Sequence, residues 1–85
     1  SRGKPTSQVV RVTANDRSGL LRDITTILAN EKVNVLGVAS RSDTREQLAT
    51  IDMTIEIYNL QVLGRVLGTL NQVPDVIDAR RLHGG

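Results

Sequence analysis

The side chains able to do chemistry in this chain are few. It has no cysteine and one histidine, His83, so a disulfide framework, a thiolate metal site and paired-histidine chemistry are all excluded. Serines are present, but none stands in a G-x-S-x-G elbow between strand and helix, and His83, near the end of the chain, reads as a plain terminal side chain. Two carboxylate pairs invite an acid/base reading, Asp52 with Glu56 and Asp75 with Asp78. The first pair falls on alternating positions of a strand pattern, where two carboxylates on a wet face are simply solvated.

The segment Asn15-Asp16-Arg17-Ser18-Gly19 has turn chemistry and precedes a helical pattern. It lacks both the G-x-G-x-x-G spacing and the Walker lysine of nucleotide-binding loops. Glycine beside a helix N-terminus still lets backbone amides approach a small polar ligand, although turn geometry alone would also call for it. Aromatic stacking is out of reach, because Tyr58 is the one ring and there is no Phe or Trp. Single-stranded RNA read on a sheet face needs such rings in a basic setting, and Tyr58 stands near Asp52 and Glu56. Scattered basic residues (Arg17, Arg22, Lys32, Arg65) leave contact with folded RNA or another partner open. Gly64 and Gly68, four apart in a helical pattern, each cost about 1 kcal/mol relative to alanine. Close approach of a neighbouring helix is one reason for them, a contact surface for another molecule the other.

These residues are positioned by a clear alternation of patterns. Val10, Val12 and Ala14 share one face of a first strand. Leu20, Leu21, Ile24, Ile27 and Leu28 recur at helical spacing after Gly19, with Asp16 or Ser18 placed to cap the helix. Val33 to Ser42 reads as a second strand with a bulge or close neighbour at Gly37. Ala49, Ile51, Met53, Ile55 and Ile57 alternate with Thr50, Asp52, Thr54, Glu56 and Tyr58, which gives a long strand with one dry face. Leu60, Leu63, Val66, Leu67 and Leu70 restore helical spacing up to Pro74, and a last strand follows from Val76 to Leu82. The order β-α-β-β-α-β, with one apolar stripe per helix and one apolar sheet face, predicts an α+β ferredoxin-like two-layer sandwich with both helices on one side of a four-stranded antiparallel sheet. Right-handed crossovers place strands one and three centrally. The second strand, with Val33, Val35, Leu36 and Val38, is then an open edge that a partner should cover.

Eighty-five residues, 39% of them hydrophobic, make one domain with an aliphatic core. Residues 1–7, which hold Arg2 and Lys4, read as a linker, residues 8–83 as the domain, and residues 84–85 as a tail. From Gln8 onward basic and acidic side chains balance at nine each, unlike the body of a strongly basic nucleic-acid binder. No stretch approaches a membrane span, and the chain is expected to be cytoplasmic.

The run Val12 to Leu21, continuing to Ile24, resembles the opening of ACT domains, and Asn34-Val35 is similar to the start of their second strand. Gly19 to Asn34 together with Ala49 to Arg81 resembles the C-terminal ACT domain of the long ribosome-associated (p)ppGpp synthetases, the stringent-response GTP pyrophosphokinases. The resemblance spans residues 8–83. It implies a regulatory module with no catalytic residues and no cofactor of its own, attached to a catalytic domain elsewhere in a parent chain. The implied partners are the other domains of that parent and, through it, ribosomal RNA on ribosomes stalled with uncharged tRNA. ACT domains elsewhere bind amino acids between paired domains; carried over, the ligand positions are Asn15, Asp16, Gly19, Leu20, Asn34 and Val35. Ser18 stands where many relatives place proline, which weakens pre-organisation of the helix start. Three functions follow as expectations: a docking and coupling element, with Arg17, Arg22, Lys32, Arg65, Gly64 and Gly68 as contacts; an amino-acid sensor; and a structural module that dimerises through the second-strand edge.

Overall fold

A computed structural model describes residues 4–84 of the chain. The first strand, β1, spans Thr6–Asn15, and α1 spans Leu20–Asn30. Strands β2 (Asn34–Asp43) and β3 (Leu48–Ile57) form a hairpin, followed by α2 (Leu60–Asn71) and β4 (Val76–Gly84). The sheet order is β2-β3-β1-β4, antiparallel throughout, so β1 and β3 are central as the crossover rule predicts. β1 takes in Thr6 and Ser7 from the stretch read as linker, and β4 takes in Gly84 from the stretch read as tail. Residues 1–3 of that linker, with Arg2, and Gly85 of that tail lie outside the described residues.

Strand alternation decides which face is dry. On β3, Ala49, Ile51, Met53, Ile55 and Ile57 are buried while Thr50, Asp52, Thr54 and Glu56 are half-buried on the opposite face. Val10, Val12 and Ala14 of β1 join the same layer, as do Ile24 and Leu28 of α1 and Leu63, Val66 and Leu70 of α2. One continuous core therefore holds both helices against a single sheet face. Removing each large aliphatic side chain from water contributes roughly 1.5 to 3 kcal/mol. Val33, read from sequence as an edge residue, precedes β2 and belongs to this core. Gln8 is the buried polar exception: its Nε2 donates to Thr6 Oγ1 at 3.0 Å, while its Oε1 has no partner among the described residues.

The helix ends are closed by local chemistry. α1 stops in a Schellman arrangement, in which Lys32 N–H donates to the Ala29 carbonyl at 2.9 Å and Val33 N–H to the Leu28 carbonyl at 3.0 Å. Lys32 occupies the left-handed position of that cap, with φ of 58°, where glycine is usual. α2 starts on Asn59, whose side chain accepts from Val62 N–H at 3.0 Å. The start of α1 corrects the sequence reading: neither Asp16 nor Ser18 caps it, and Gly19, with φ of 82°, takes the cap position without a side-chain bond.

The two sheet edges differ. β2 departs from regular pairing once, where Leu36 bulges between Val35 and Gly37, and then pairs without interruption from Gly37 to Asp43. Its outward edge is free among the described residues, and Leu36 and Val38 remain about half exposed. On β4, register shifts leave Ile77 and Leu82 as extra residues.

Candidate functional site: the first loop and the ends of the edge strand

Gly19 sets the shape of the loop that leads into α1. A Cβ there would meet only the tips of Arg22 and Arg17, at 3.5 and 3.7 Å, so the positive φ rather than space calls for glycine. The loop is tied on both flanks. Asn15 N–H donates to the Asp75 carbonyl at 2.8 Å and Asp16 N–H to the Gln47 carbonyl at 2.9 Å. Arg17 then closes an ionic clamp: its guanidinium donates to Asp23 Oδ2 at 2.7 Å, to Asp75 Oδ2 and to the Ser18 carbonyl at 3.0 Å. The bonds to Asp23 and Asp75 raise the Arg17 pKa above its ordinary value. Because Asp23 lies in the first turn of α1 and Asp75 just before β4, this one side chain holds three segments in register. Local sequence gave no sign of it, since Arg17 and Asp75 are 58 positions apart.

Beside the loop lies a cleft of about 320 Å³, bounded by Asp16, Gly19 and Leu20 on one side and by Ser40, Ser42 and Ala49 of the sheet on the other. Ser40 and Ser42 pair with Ile51 and Ala49, so they lie on the helix-facing side of β2. Polar residues at helix-facing positions were the sequence signal that this stretch is uncovered. Leu20 bounds the cleft but is itself a core residue, 3% exposed.

A second cleft, of about 300 Å³, lies where α1 runs into β2 and β3 into α2. Lys32, Asn34, Glu56 and Tyr58 rim it over a floor of Val33, Ile57 and Val62. Asn34 Nδ2 donates to Glu56 Oε1 at 3.2 Å. Val35 pairs with Ile55 and packs against the core, and is not among the residues lining either cleft.

Within one chain, then, the six ligand positions expected by resemblance divide between opposite ends of the sheet. Asn15 pairs with Leu48 and Asn34 with Glu56, eight strand residues or about 26 Å apart along β3.

The basic positions divide as well. Arg17 is held by its clamp, and Arg65 Nε donates to Glu31 Oε1 at 3.1 Å. Among the described residues Arg22 and Lys32 enter no ion pair. On the wet sheet face, Arg11 grips Asp52 in a two-pronged pair at 2.8 and 2.9 Å. That hydrogen bonding holds the Asp52 carboxyl below its ordinary range. Gly64 and Gly68 are exposed, and a Cβ on either would meet nothing within 4 Å. Close approach of a neighbouring helix, the first reason considered for them, is therefore not what they serve. No group of three or more His, Cys, Asp or Glu side chains converges to hold a metal among the described residues. No helix among them is long and apolar enough to cross a membrane.

Residues 7–81 match the family model described as the ACT domain. The chain belongs to the ACT-domain family. This ACT domain is 94% identical over 78 residues to the GTP pyrophosphokinase of Escherichia coli strain K12, a match covering 92% of the chain and 10% of the relative. It is 60% identical over 73 residues to the GTP pyrophosphokinase of Haemophilus influenzae, covering 86% of the chain and 10% of the relative. It thus spans about a tenth of the length of these curated relatives. Its fold is shared with the crystal structure of the ACT domain from GTP pyrophosphokinase of Chlorobium tepidum, with a TM-score of 0.81 at 19% identity, covering 93% of this chain and all of that one.

Proposed function

We propose that this ACT domain is the regulatory module of a larger cytoplasmic GTP pyrophosphokinase, in which it couples docking on ribosomes stalled with uncharged tRNA to (p)ppGpp synthesis. The fragment itself carries no catalysis and no cofactor on this reading. The observation that carries it is the outer surface of the helical layer. Gly64 and Gly68 weaken α2, and a side chain at either would meet nothing within 4 Å among the described residues, while Arg22 and Lys32, which enter no ion pair among those residues, supply positive charge on or beside α1. Exposed helix backbone on α2, with one of these cations toward each end of α1, suits a phosphate backbone, which attracts basic groups and comes closest where side chains are absent. Docking then favours one arrangement of the parent over another in proportion to its differential affinity for the two. The test is charge reversal, Arg22→Glu with Lys32→Glu, in the full-length parent. Ribosome-stimulated synthesis should fall while ribosome-independent synthesis stays the same. Unchanged stimulation would sink the reading.

A second reading, an amino-acid sensor assembled from two copies, is favoured by the way the ligand positions divide. Antiparallel pairing of two β2 edges would lay the Ser42 end of one copy beside the Asn34 end of the other, so that the Gly19 loop of the first faces Asn34 of the second. Titration of the domain with a panel of amino acids, followed on the amides of Asn15 to Leu20 and Val33 to Leu36, should give localised and saturable shifts. No shift at any amino acid would remove the sensor and leave edge pairing as a purely structural dimerisation.

A further inference from the structure

A sheet with two open edges can keep adding strands, so whether self-association stops at two copies depends on what closes the second edge. In this domain the closing group is a side chain. Asn71, the last residue of α2, donates from Nδ2 to the Ala79 carbonyl at 3.0 Å and accepts the Ala79 N–H on Oδ1 at 3.0 Å. The carboxamide thereby makes both bonds that a neighbouring strand would make at that position. A third bond, from Nδ2 to the Leu67 carbonyl at 3.0 Å, fixes the amide to its own helix. On either side of Ala79 the strand bulges, at Ile77 and at Leu82, and bulges disrupt regular edge pairing. β2 offers the contrary case, with seven residues from Gly37 to Asp43 in unbroken register with β3 and no side chain bonded to their outward edge among the described residues.

We propose that the Asn71 carboxamide is a strand-mimicking plug that closes the β4 edge, so that a second copy of this chain pairs only through β2 and association ends at two. The plug rests on hydrogen bonds internal to one chain. The stopping point it sets rests on the β2 pairing suggested above, and the two can fail separately.

The experiment compares the wild-type domain with Asn71→Ala and Asn71→Asp by sedimentation velocity over a wide range of concentration, and by amide hydrogen exchange at Ala79. Wild type should reach a dimer and no further, whereas Asn71→Ala should form larger species. The Ala79 amide should exchange about tenfold faster in that variant, the equivalent of one lost hydrogen bond of about 1.4 kcal/mol. Asn71→Asp preserves shape and the acceptor of the Ala79 N–H but sets a second acceptor against the Ala79 carbonyl, so above the carboxyl's titration range it should form larger species as Asn71→Ala does, with a smaller change in Ala79 exchange. Far-UV circular dichroism and retained exchange protection at core amides such as Ile55 confirm that each variant is folded. A variant that loses core protection is replaced by Asn71→Gln, whose longer side chain carries the same amide out of register.

A wild type that stays monomeric while Asn71→Ala dimerises would refute β2 pairing and keep the plug. Folded variants with the same association limit as wild type, or unchanged exchange at Ala79 in folded Asn71→Ala, would overturn the plug. Val38→Lys in the Asn71→Ala background adds a check, because a charge on β2 should then leave association through β4 intact.

Discussion

Replacing Gly64 and Gly68 together by alanine should make the domain more stable. Both lie inside α2, both are exposed, and neither would bring its new methyl within 4 Å of another group. Nothing offsets the gain in helix propensity, which is about 1 kcal/mol per site. The sites are one turn apart and independent of the core, so the pair should contribute about 2 kcal/mol. For a domain of this size 1 kcal/mol moves the melting temperature by roughly 4 to 8 °C, which puts the expected rise at about 10 °C. Urea unfolding followed by far-UV circular dichroism provides the free energy, and an unchanged m-value ensures that the folded state has not loosened. A loss of stability would refute the reasoning, because it would mean that the chain packs against these positions after all. Function supplies the second half of the test. Gly64→Gln with Gly68→Gln should also stabilise α2, since glutamine is a good helix former, yet it covers the bare backbone with long side chains. In the full-length parent this variant should respond more weakly to ribosomes, and a stabilised variant with full response would take the glycines out of the docking surface.

Three further outcomes rest on single side chains of the domain. Gly19→Ala should destabilise by about 1 to 2 kcal/mol, because φ of 82° is costly for a residue with a Cβ; urea unfolding measures it. Gln8→Leu should stabilise by about 1 kcal/mol, since it removes a buried acceptor that lacks a partner among the described residues, and thermal unfolding of the two proteins compares them directly. Asp52→Asn should be less stable than wild type at neutral pH, with a gap that closes on acidification. The folded Asp52 carboxyl is held below its ordinary value by Arg11, so its contribution is present above the unfolded carboxyl's pKa and is lost as pH falls through the folded one. Unfolding curves at several pH values check the convergence.

The fold was legible because the patterns that form it are local. The alternation from Ala49 to Ile57 fixed the dry face of β3, the three-and-four spacings fixed both helices, and topology followed from the need to bury one stripe per helix. The bulge near Gly37 was also visible. What escaped was chemistry that acts across the chain. Arg17 reads from sequence as a contact for a partner, and nothing near it in sequence shows that Asp75 will bind it. Asn71 was no more than a polar residue at the end of a helical pattern, and its bond to Ala79 depends on how α2 meets β4. The candidate ligand positions were named by resemblance to other ACT domains. Their separation to opposite ends of β2 could be seen only once the strands were paired.

The positions that break local rules give the best guide to where function lies, because folding alone does not ask for them. Gly19 has positive φ and shapes the loop into α1. Gln47 has φ of 55°, but its carbonyl accepts the Asp16 N–H and so supports that same loop. Lys32 has φ of 58° and completes the cap of α1 through its own N–H. Each of these unfavourable conformations is answered by a bond or a turn within the domain. Gly64 and Gly68 are not. They lower the helix propensity of α2 on its solvent side, with open space where their side chains would be. On the docking reading, the benefit that offsets that cost comes from outside the domain, and the partner's footprint takes in the open side of α2 together with Lys32 and Arg22 at the two clefts.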